Sequence, residues 1–114
     1  MSELSQLKCV SIRGGEPTLT SGEIYRMQPQ ASDWQVKEVG GEPRLERVFK
    51  FKDFAQALAF TDKVGAIAEQ QDHHPLITLE WGKVTVNWWT HKIGGLHKND
   101  FIMAAKTDEL YSSK

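Results

Sequence analysis

With 114 residues, 39% of them hydrophobic and 25% charged, the chain has the size and composition of one globular domain that can bury its own core. A formal net charge of -1 argues against a nucleic-acid-binding surface, which usually needs a basic face. The single cysteine, Cys9, excludes an intrachain disulfide, and residues 1–8 hold no apolar run typical of a signal peptide or membrane span. We therefore expect a cytoplasmic protein that binds neither membranes nor nucleic acid.

The first part of the chain predicts an arm followed by a domain. Residues 1–19 are mixed in composition and contain glycines and a proline that interrupt any regular element. We expect them to form a loosely held N-terminal arm, and residues 20–114 to form the domain. Thr20 and Glu23 have the spacing of a capping box, in which each side chain satisfies a backbone donor of the other residue. A short helix should follow over about residues 21–28.

Two pairs of strand-like segments are each separated by a glycine-containing turn, which is typical of antiparallel hairpins. The first pair covers residues 34–39 and 44–51, and the second covers residues 76–81 and 84–90. Side chains alternate along these segments with the period of a pleated strand. With a helix between the hairpins and another after them, the order predicts an α+β domain with a four-stranded antiparallel sheet packed against helices.

The central helix should run from Asp53 to about Gln71, and the last helix from about Lys98 to Leu110. On the central helix, one arc is predicted to face the sheet: Phe54, Leu58, Thr61, Val64, Ile67 and Ala68. A second arc carries small side chains and one carboxylate: Ala55, Ala59, Asp62 and Ala66. This second arc fits either a close contact with another subunit's helix or a solvent-facing surface.

Three of the four histidines lie between two carboxylates in one stretch of the chain, in the order Glu69, His73, His74, His91 and Asp100. Imidazole can give or take a proton near neutral pH, so the group is typical of proton transfer or metal binding. Taken one at a time, each histidine is more simply interpreted as a surface residue, or as a buried residue whose hydrogen bonds are satisfied. The spacing fits no zinc motif, which disfavours the metal site as an alternative.

The local geometry suggests how the first two histidines are held. If the central helix persists to His73, Glu69 lies one helical turn before it and could orient that ring. Pro75 keeps His74 out of the helical region, so that the neighbouring rings can point in different directions.

The third histidine and the last carboxylate lie in different elements. His91 leaves the more polar face of the last strand beside Trp89, whose indole could form an apolar wall for a substrate. Asp100 lies in the first turn of the last helix, where it could fix a histidine or cap the helix. Trp34 and Trp81 are predicted to serve mainly as hydrophobic packing.

The chain resembles the pterin-4a-carbinolamine dehydratase family over about residues 20–109. The family signature is matched in order and spacing by Glu69, His73-His74-Pro75, Trp81, His91 and Asp100. The resemblance implies an enzyme that removes water from 4a-hydroxytetrahydropterin to give quinonoid dihydropterin by histidine acid/base catalysis. It also implies no metal or cofactor, a homotetramer or homodimer, and an aromatic amino acid hydroxylase as a partner whose pterin is recycled.

By the same resemblance, His73, His74 and His91 are catalytic or pterin-binding residues, and Glu69 and Asp100 support them. Because the dehydration needs two proton transfers, we assign them to His73 and His91 and give His74 a mainly binding role. The alternative is a non-catalytic protein, since this fold has members that act as dimerisation cofactors of transcription factors or as assembly factors.

One position departs from the family pattern. Members commonly have Thr or Ser three residues before the aspartate, where this chain has His97, a poor N-cap residue. We therefore expect the last helix to begin weakly or to begin at Asn99.

Overall fold

The computed structural model describes residues 4–112. Its helices are α1 (Ser21–Met27), α2 (Phe54–Gln71) and α3 (Lys98–Ser112), and its strands are β1 (Gln35–Val39), β2 (Glu42–Lys50), β3 (Leu76–Glu80) and β4 (Lys83–Trp88). Short 3-10 turns occur at Leu4–Gln6, Gln28–Ala31 and His91–Ile93. The predicted capping box at the start of α1 is confirmed, because Thr20 and Glu23 exchange their side-chain bonds.

The four strands form one antiparallel sheet in the order β1-β2-β4-β3, so the predicted α+β fold is confirmed. Strand β2 pairs with β4 so that Leu45 lies opposite Trp88 and Phe49 lies opposite Val84. These four side chains are fully buried, and they form the centre of the core beneath the helices. No helix within residues 4–112 is long and apolar enough to cross a bilayer.

The rotation of α2 about its axis differs from the prediction. Its buried residues are Ala57, Phe60, Val64 and Ala68, whereas Phe54 and Leu58 are 43% and 42% exposed. Phe60 sets this rotation, because its ring lies 4.8 Å from that of Phe49 in an aromatic cluster. The predicted arc was therefore wrong at Phe54 and Leu58 and correct at Val64 and Ala68.

The N-terminal arm is held more firmly than the sequence predicted. Leu4 is buried in the core, and the ammonium group of Lys106 on α3 donates to the Ser5 carbonyl at 2.9 Å. Further along, the backbone N–H of Leu19 donates to the carbonyl of Leu96 at 2.8 Å. Within residues 4–19 the arm is therefore held by specific contacts with α3 and with the segment just before it.

Candidate active site

A cavity of about 540 Å³ lies where α2 and β4 end. Its volume is within the range of roughly 300–1,000 Å³ that is usual for small-molecule sites. Three segments line it: residues 9–12 of the arm, residues 71–74 after α2, and residues 90–92 after β4. The cavity thus brings together His73, His74 and His91, which are separated in sequence.

A change of backbone direction after α2 places His73 in this cavity. Asp72 has a left-handed conformation with φ 53°, and its N–H donates to the carbonyls of Ala68 and Glu69. The chain therefore leaves the helix, and the ring of His73 stacks on Trp88 with a centroid distance of 5.9 Å. His73 is 7% exposed, so only a small part of its ring reaches solvent.

The buried carboxylate of Asp100 holds the His73 ring. His73 Nε2 lies 2.6 Å from Asp100 Oδ1, while Asp100 Oδ2 accepts bonds from the Thr90 hydroxyl and the His97 backbone N–H, each at 2.9 Å. A carboxylate can only accept, so His73 Nε2 donates its proton and Nδ1 is the other nitrogen available for exchange. Asp100 therefore fulfils both roles that the sequence left open, since it fixes a histidine and caps α3.

Glu69 pairs with His74 and not, as predicted, with His73. Glu69 Oε2 lies 2.5 Å from His74 Nε2, and both side chains are largely exposed. The left-handed Asp72 is the physical reason, because it removes His73 from the helical register on which the prediction depended. Each of the adjacent histidines thus has its own carboxylate.

His91 rests on a stack of side chains. Its ring lies parallel to that of Trp89, with 4.2 Å between centroids and 16° between planes, and the guanidinium of Arg44 lies 3.7 Å from the same indole's centroid. Trp89 is thereby buried and does not line the cavity. The structure places it as a platform beneath His91, and its predicted contact with a substrate stays a prediction.

The start of α3 is capped in a way that the sequence did not predict. His97 Nδ1 accepts the backbone N–H of Asn99 at 3.0 Å, while Asp100 accepts the N–H of His97. An imidazole thus takes the place of the usual hydroxyl, and α3 begins at Lys98 and not at Asn99. The packing prediction for Trp81 was wrong, because its side chain is 73% exposed at the β3–β4 turn, whereas Trp34 is buried as expected.

Several residues of the site were not predicted from the sequence. Thr90 could have been identified as a site residue because it directly precedes His91 in the sequence. Arg44 carried no signal, since an arginine on a strand is ordinary. Its Nε is buried without a hydrogen-bond partner among the described residues, consistent with its position over the indole.

Cys9 also lines the cavity, and its thiol lies 3.8 Å from the carbonyl oxygen of Asn99. Burial, together with the negative charge of Asp100, raises its pKa to about 11. The thiol is therefore protonated at neutral pH and unsuited to act as a nucleophile. Within residues 4–112, no three His, Cys, Asp or Glu side chains form a cluster that could hold a metal ion.

Comparison with known proteins identifies the family. The model of the family described as pterin 4 alpha carbinolamine dehydratase matches residues 17–110. A relative from Marinobacter nauticus is 56% identical over 111 residues, which cover 97% of this chain and 100% of the relative. One from Microcystis aeruginosa is 51% identical over 111 residues, covering 97% of this chain and 96% of the relative. Both carry the provisional name pterin-4-alpha-carbinolamine dehydratase.

Two solved structures share the fold. A transcriptional coactivator/pterin dehydratase from Brucella melitensis superimposes with a TM-score of 0.75 at 33% identity, covering 83% of this chain and 99% of that one. A pterin dehydratase-like protein, described as a RuBisCO assembly factor in the alpha-carboxysome, gives a TM-score of 0.61 at 26% identity, covering 72% of this chain and 93% of that one. The chain belongs to the pterin-4a-carbinolamine dehydratase family, as its sequence predicted.

Proposed function

We propose that this protein is a hydro-lyase that removes water from 4a-hydroxytetrahydropterin and so returns the pterin to a form that can be reduced again. The observation that carries the proposal is the convergence of three imidazoles on one cavity, with His73 and His74 each paired to a carboxylate. A pair of positioned acid and base groups is what the dehydration requires.

The chemistry follows from the structure of the substrate. Its 4a carbon carries a hydroxyl and is bonded to a ring nitrogen whose lone pair can expel that hydroxyl. Hydroxide is a poor leaving group, so an acid must protonate it as the C–O bond breaks. A base must remove a proton from a ring N–H as the carbon–nitrogen double bond forms. Water and quinonoid dihydropterin are then the products, with no change in oxidation state.

In this proposal, His73 is the acid. Asp100 holds the proton on Nε2 and compensates the positive charge of the ring when Nδ1 also carries a proton. Nδ1 then gives its proton to the departing hydroxyl. Because Asp100 is completely buried, its carboxylate is shielded from bulk solvent, and its bond to Nε2 orients the ring.

His91 is the base in this proposal. Its ring is exposed and supported on one face by Trp89, and no group among residues 4–112 bonds its nitrogens. It can therefore take the ring N–H proton of the substrate and release it to solvent. His74, with Glu69, is proposed to bind the pterin by hydrogen bonding.

The wider setting is part of the same proposal. The enzyme works without a metal or cofactor, as a homotetramer or homodimer in the cytoplasm, and recycles pterin for an aromatic amino acid hydroxylase. Elemental analysis tests the metal statement: about one zinc or iron per chain, with activity lost on chelation and restored by the metal, would replace acid/base catalysis with metal catalysis.

The direct test is a dehydration assay on synthetic 4a-hydroxytetrahydropterin, followed by ultraviolet absorbance and corrected for the uncatalysed reaction. We expect turnover well above background that is lost when His73 and His91 are both replaced by Ala. A double variant as active as the wild type would overturn the proposal.

A second candidate function is binding or assembly of a partner without catalysis. It is favoured by an exposed apolar surface on α2, formed by Phe54, Ala55, Leu58, Ala59 and Ala66, and by the coactivator and assembly roles named for the two solved structures. A wild-type protein with no turnover would favour this candidate.

A further inference from the structure

The N-terminal arm forms one wall of the candidate active site. Residues 9–12 face the cavity beside the segments that carry His73, His74 and His91. The family match begins only at residue 17, so this wall lies outside the segment that defines the family. Its position is determined by three sets of bonds to the rest of the domain.

The first anchor is the carboxamide of Asn99 in the first turn of α3. Its Oδ1 accepts the backbone N–H of Val10 at 3.0 Å, and its Nδ2 donates to the carbonyl of Val10 at 2.8 Å. Two bonds to one residue fix both the position and the direction of the arm. Asn99 is 1% exposed, so without the arm its amide would lose these partners in a buried setting, which is unfavourable.

The other anchors join the arm to both segments that carry the histidines. Gln71 Oε1, two residues before His73, accepts the backbone N–H of Cys9 at 2.9 Å. Lys92, which follows His91, donates from its ammonium group to the carbonyl of Ile12 at 3.2 Å. The arm therefore spans the cavity from the end of α2 to the end of β4.

One turn of α3 thus positions two parts of the site. Asp100 fixes the ring of His73, and its neighbour Asn99 fixes the arm across from that ring. Residues 9–12 contain no imidazole or carboxylate, and the Cys9 thiol stays protonated at neutral pH. The arm can therefore contact a substrate but has no group suited to exchange protons with it.

Building on the proposed function, we propose that residues 9–12 form the third wall of the pterin site and that Asn99 is the positioning residue for this wall. The arm then contributes to substrate affinity in the ground state and the transition state alike. Loss of such uniform binding raises KM and leaves kcat unchanged.

The experiment uses Asn99→Ala and Gln71→Ala, with Gln70→Ala as the matched control because Gln70 is the exposed neighbour of Gln71. Dehydration kinetics give KM and kcat, and thermal unfolding shows that each variant is folded. We expect KM to rise on the order of 10-fold in both test variants and kcat to change by less than about twofold. The control should keep the wild-type values.

Labelling of Cys9 reports the position of the arm independently, because it is the only thiol in the chain. Release of the arm should return the thiol pKa from about 11 towards 9.0. At pH 8 the thiolate fraction, and with it the labelling rate, should rise by up to about 100-fold. In the wild type, 7,8-dihydropterin should slow the labelling, since the arm would then contact the bound ligand.

Each result has a defined meaning. Faster labelling with an unchanged KM would show that the arm moves without affecting the substrate, which overturns the proposal. If both test variants keep the wild-type rate of Cys9 labelling and the wild-type KM, these anchors do not position the arm. That result would also overturn the proposal. If the wild type lacks turnover, the dehydratase function fails, and protection of Cys9 by 7,8-dihydropterin alone decides whether the arm is a pterin-binding wall.

Discussion

His73 Nε2 lies 2.6 Å from Asp100 Oδ1, and this contact joins the segment just after α2 to the first turn of α3. The carboxylate is fully buried and is also bonded to the Thr90 hydroxyl and the His97 N–H. This contact keeps a proton on Nε2 of His73 and leaves Nδ1 as the nitrogen that can exchange a proton with a substrate. The proposed division of labour among the histidines depends on it.

Replacement of Asp100 by Asn should reverse the proton distribution on His73 while preserving the packing. The amide oxygen can still accept from Thr90 and His97, but the amide nitrogen would face His73 Nε2 and require it to accept. We expect kcat to fall on the order of 100-fold or more, because an Nε2 that accepts from the amide cannot carry the second proton of the imidazolium that acts as the acid. Nitrogen chemical shifts of the His73 ring should show a protonated Nδ1 and an unprotonated Nε2. Wild-type shifts together with wild-type kcat would show that Asp100 does not control the ring.

Replacement of Trp89 by Leu should free the ring of His91. The indole lies between His91 and Arg44, and leucine cannot stack on either group. We expect kcat to drop by about 10-fold, because the base is then less well oriented. Trp81→Leu is the matched control, since Trp81 is 73% exposed, and it should keep full activity. Equal kcat in the two variants would remove the proposed role of Trp89.

Replacement of His97 by Ala should destabilise the start of α3. It removes the ring nitrogen that accepts the Asn99 N–H at 3.0 Å. Loss of an N-cap typically lowers the free energy of unfolding by about 0.5–2 kcal/mol, whereas His97→Thr supplies another acceptor and should be nearly neutral. Chemical denaturation of the three proteins measures this. If Ala is tolerated as well as Thr, the imidazole is not an effective cap.

The second arc of α2, with Ala55, Ala59, Asp62 and Ala66, is the predicted subunit interface, and all four residues are exposed. Ala59→Arg should place a charge in a close helix contact and lower the mass of the assembly, while Gln30→Arg makes the same change of charge at another exposed position. Light scattering of the wild type and both variants gives the masses. A monomeric wild type, or an unchanged mass for Ala59→Arg, contradicts an interface at this surface.

The sequence predicted the secondary structure well because local signals determine it. Capping residues marked the helix starts at Thr20 and Asp53, and glycine turns separated the strands. The rotation of α2 depended on how Phe60 packs against Phe49, which is a contact between distant segments. Sequence periodicity alone could not identify that contact.

The same distinction applies to the candidate site. Residue types and spacing indicated the three histidines and the two carboxylates, and the structure places all three rings at one cavity. The pairing of carboxylates with histidines depended on the left-handed backbone at Asp72, an uncommon conformation for a residue other than glycine. The arm and Arg44 reach the site through tertiary contacts for which the sequence had no local pattern.

The most direct test of the central claim compares His73→Ala, His74→Ala and His91→Ala in the background-corrected dehydration assay. Proton transfer by His73 and His91 predicts that kcat falls on the order of 100-fold or more in each of these two variants. A binding role for His74 predicts mainly a raised KM in its variant. Wild-type kcat in both the His73 and His91 variants would contradict the account, because the proton transfers would then have to come from other groups.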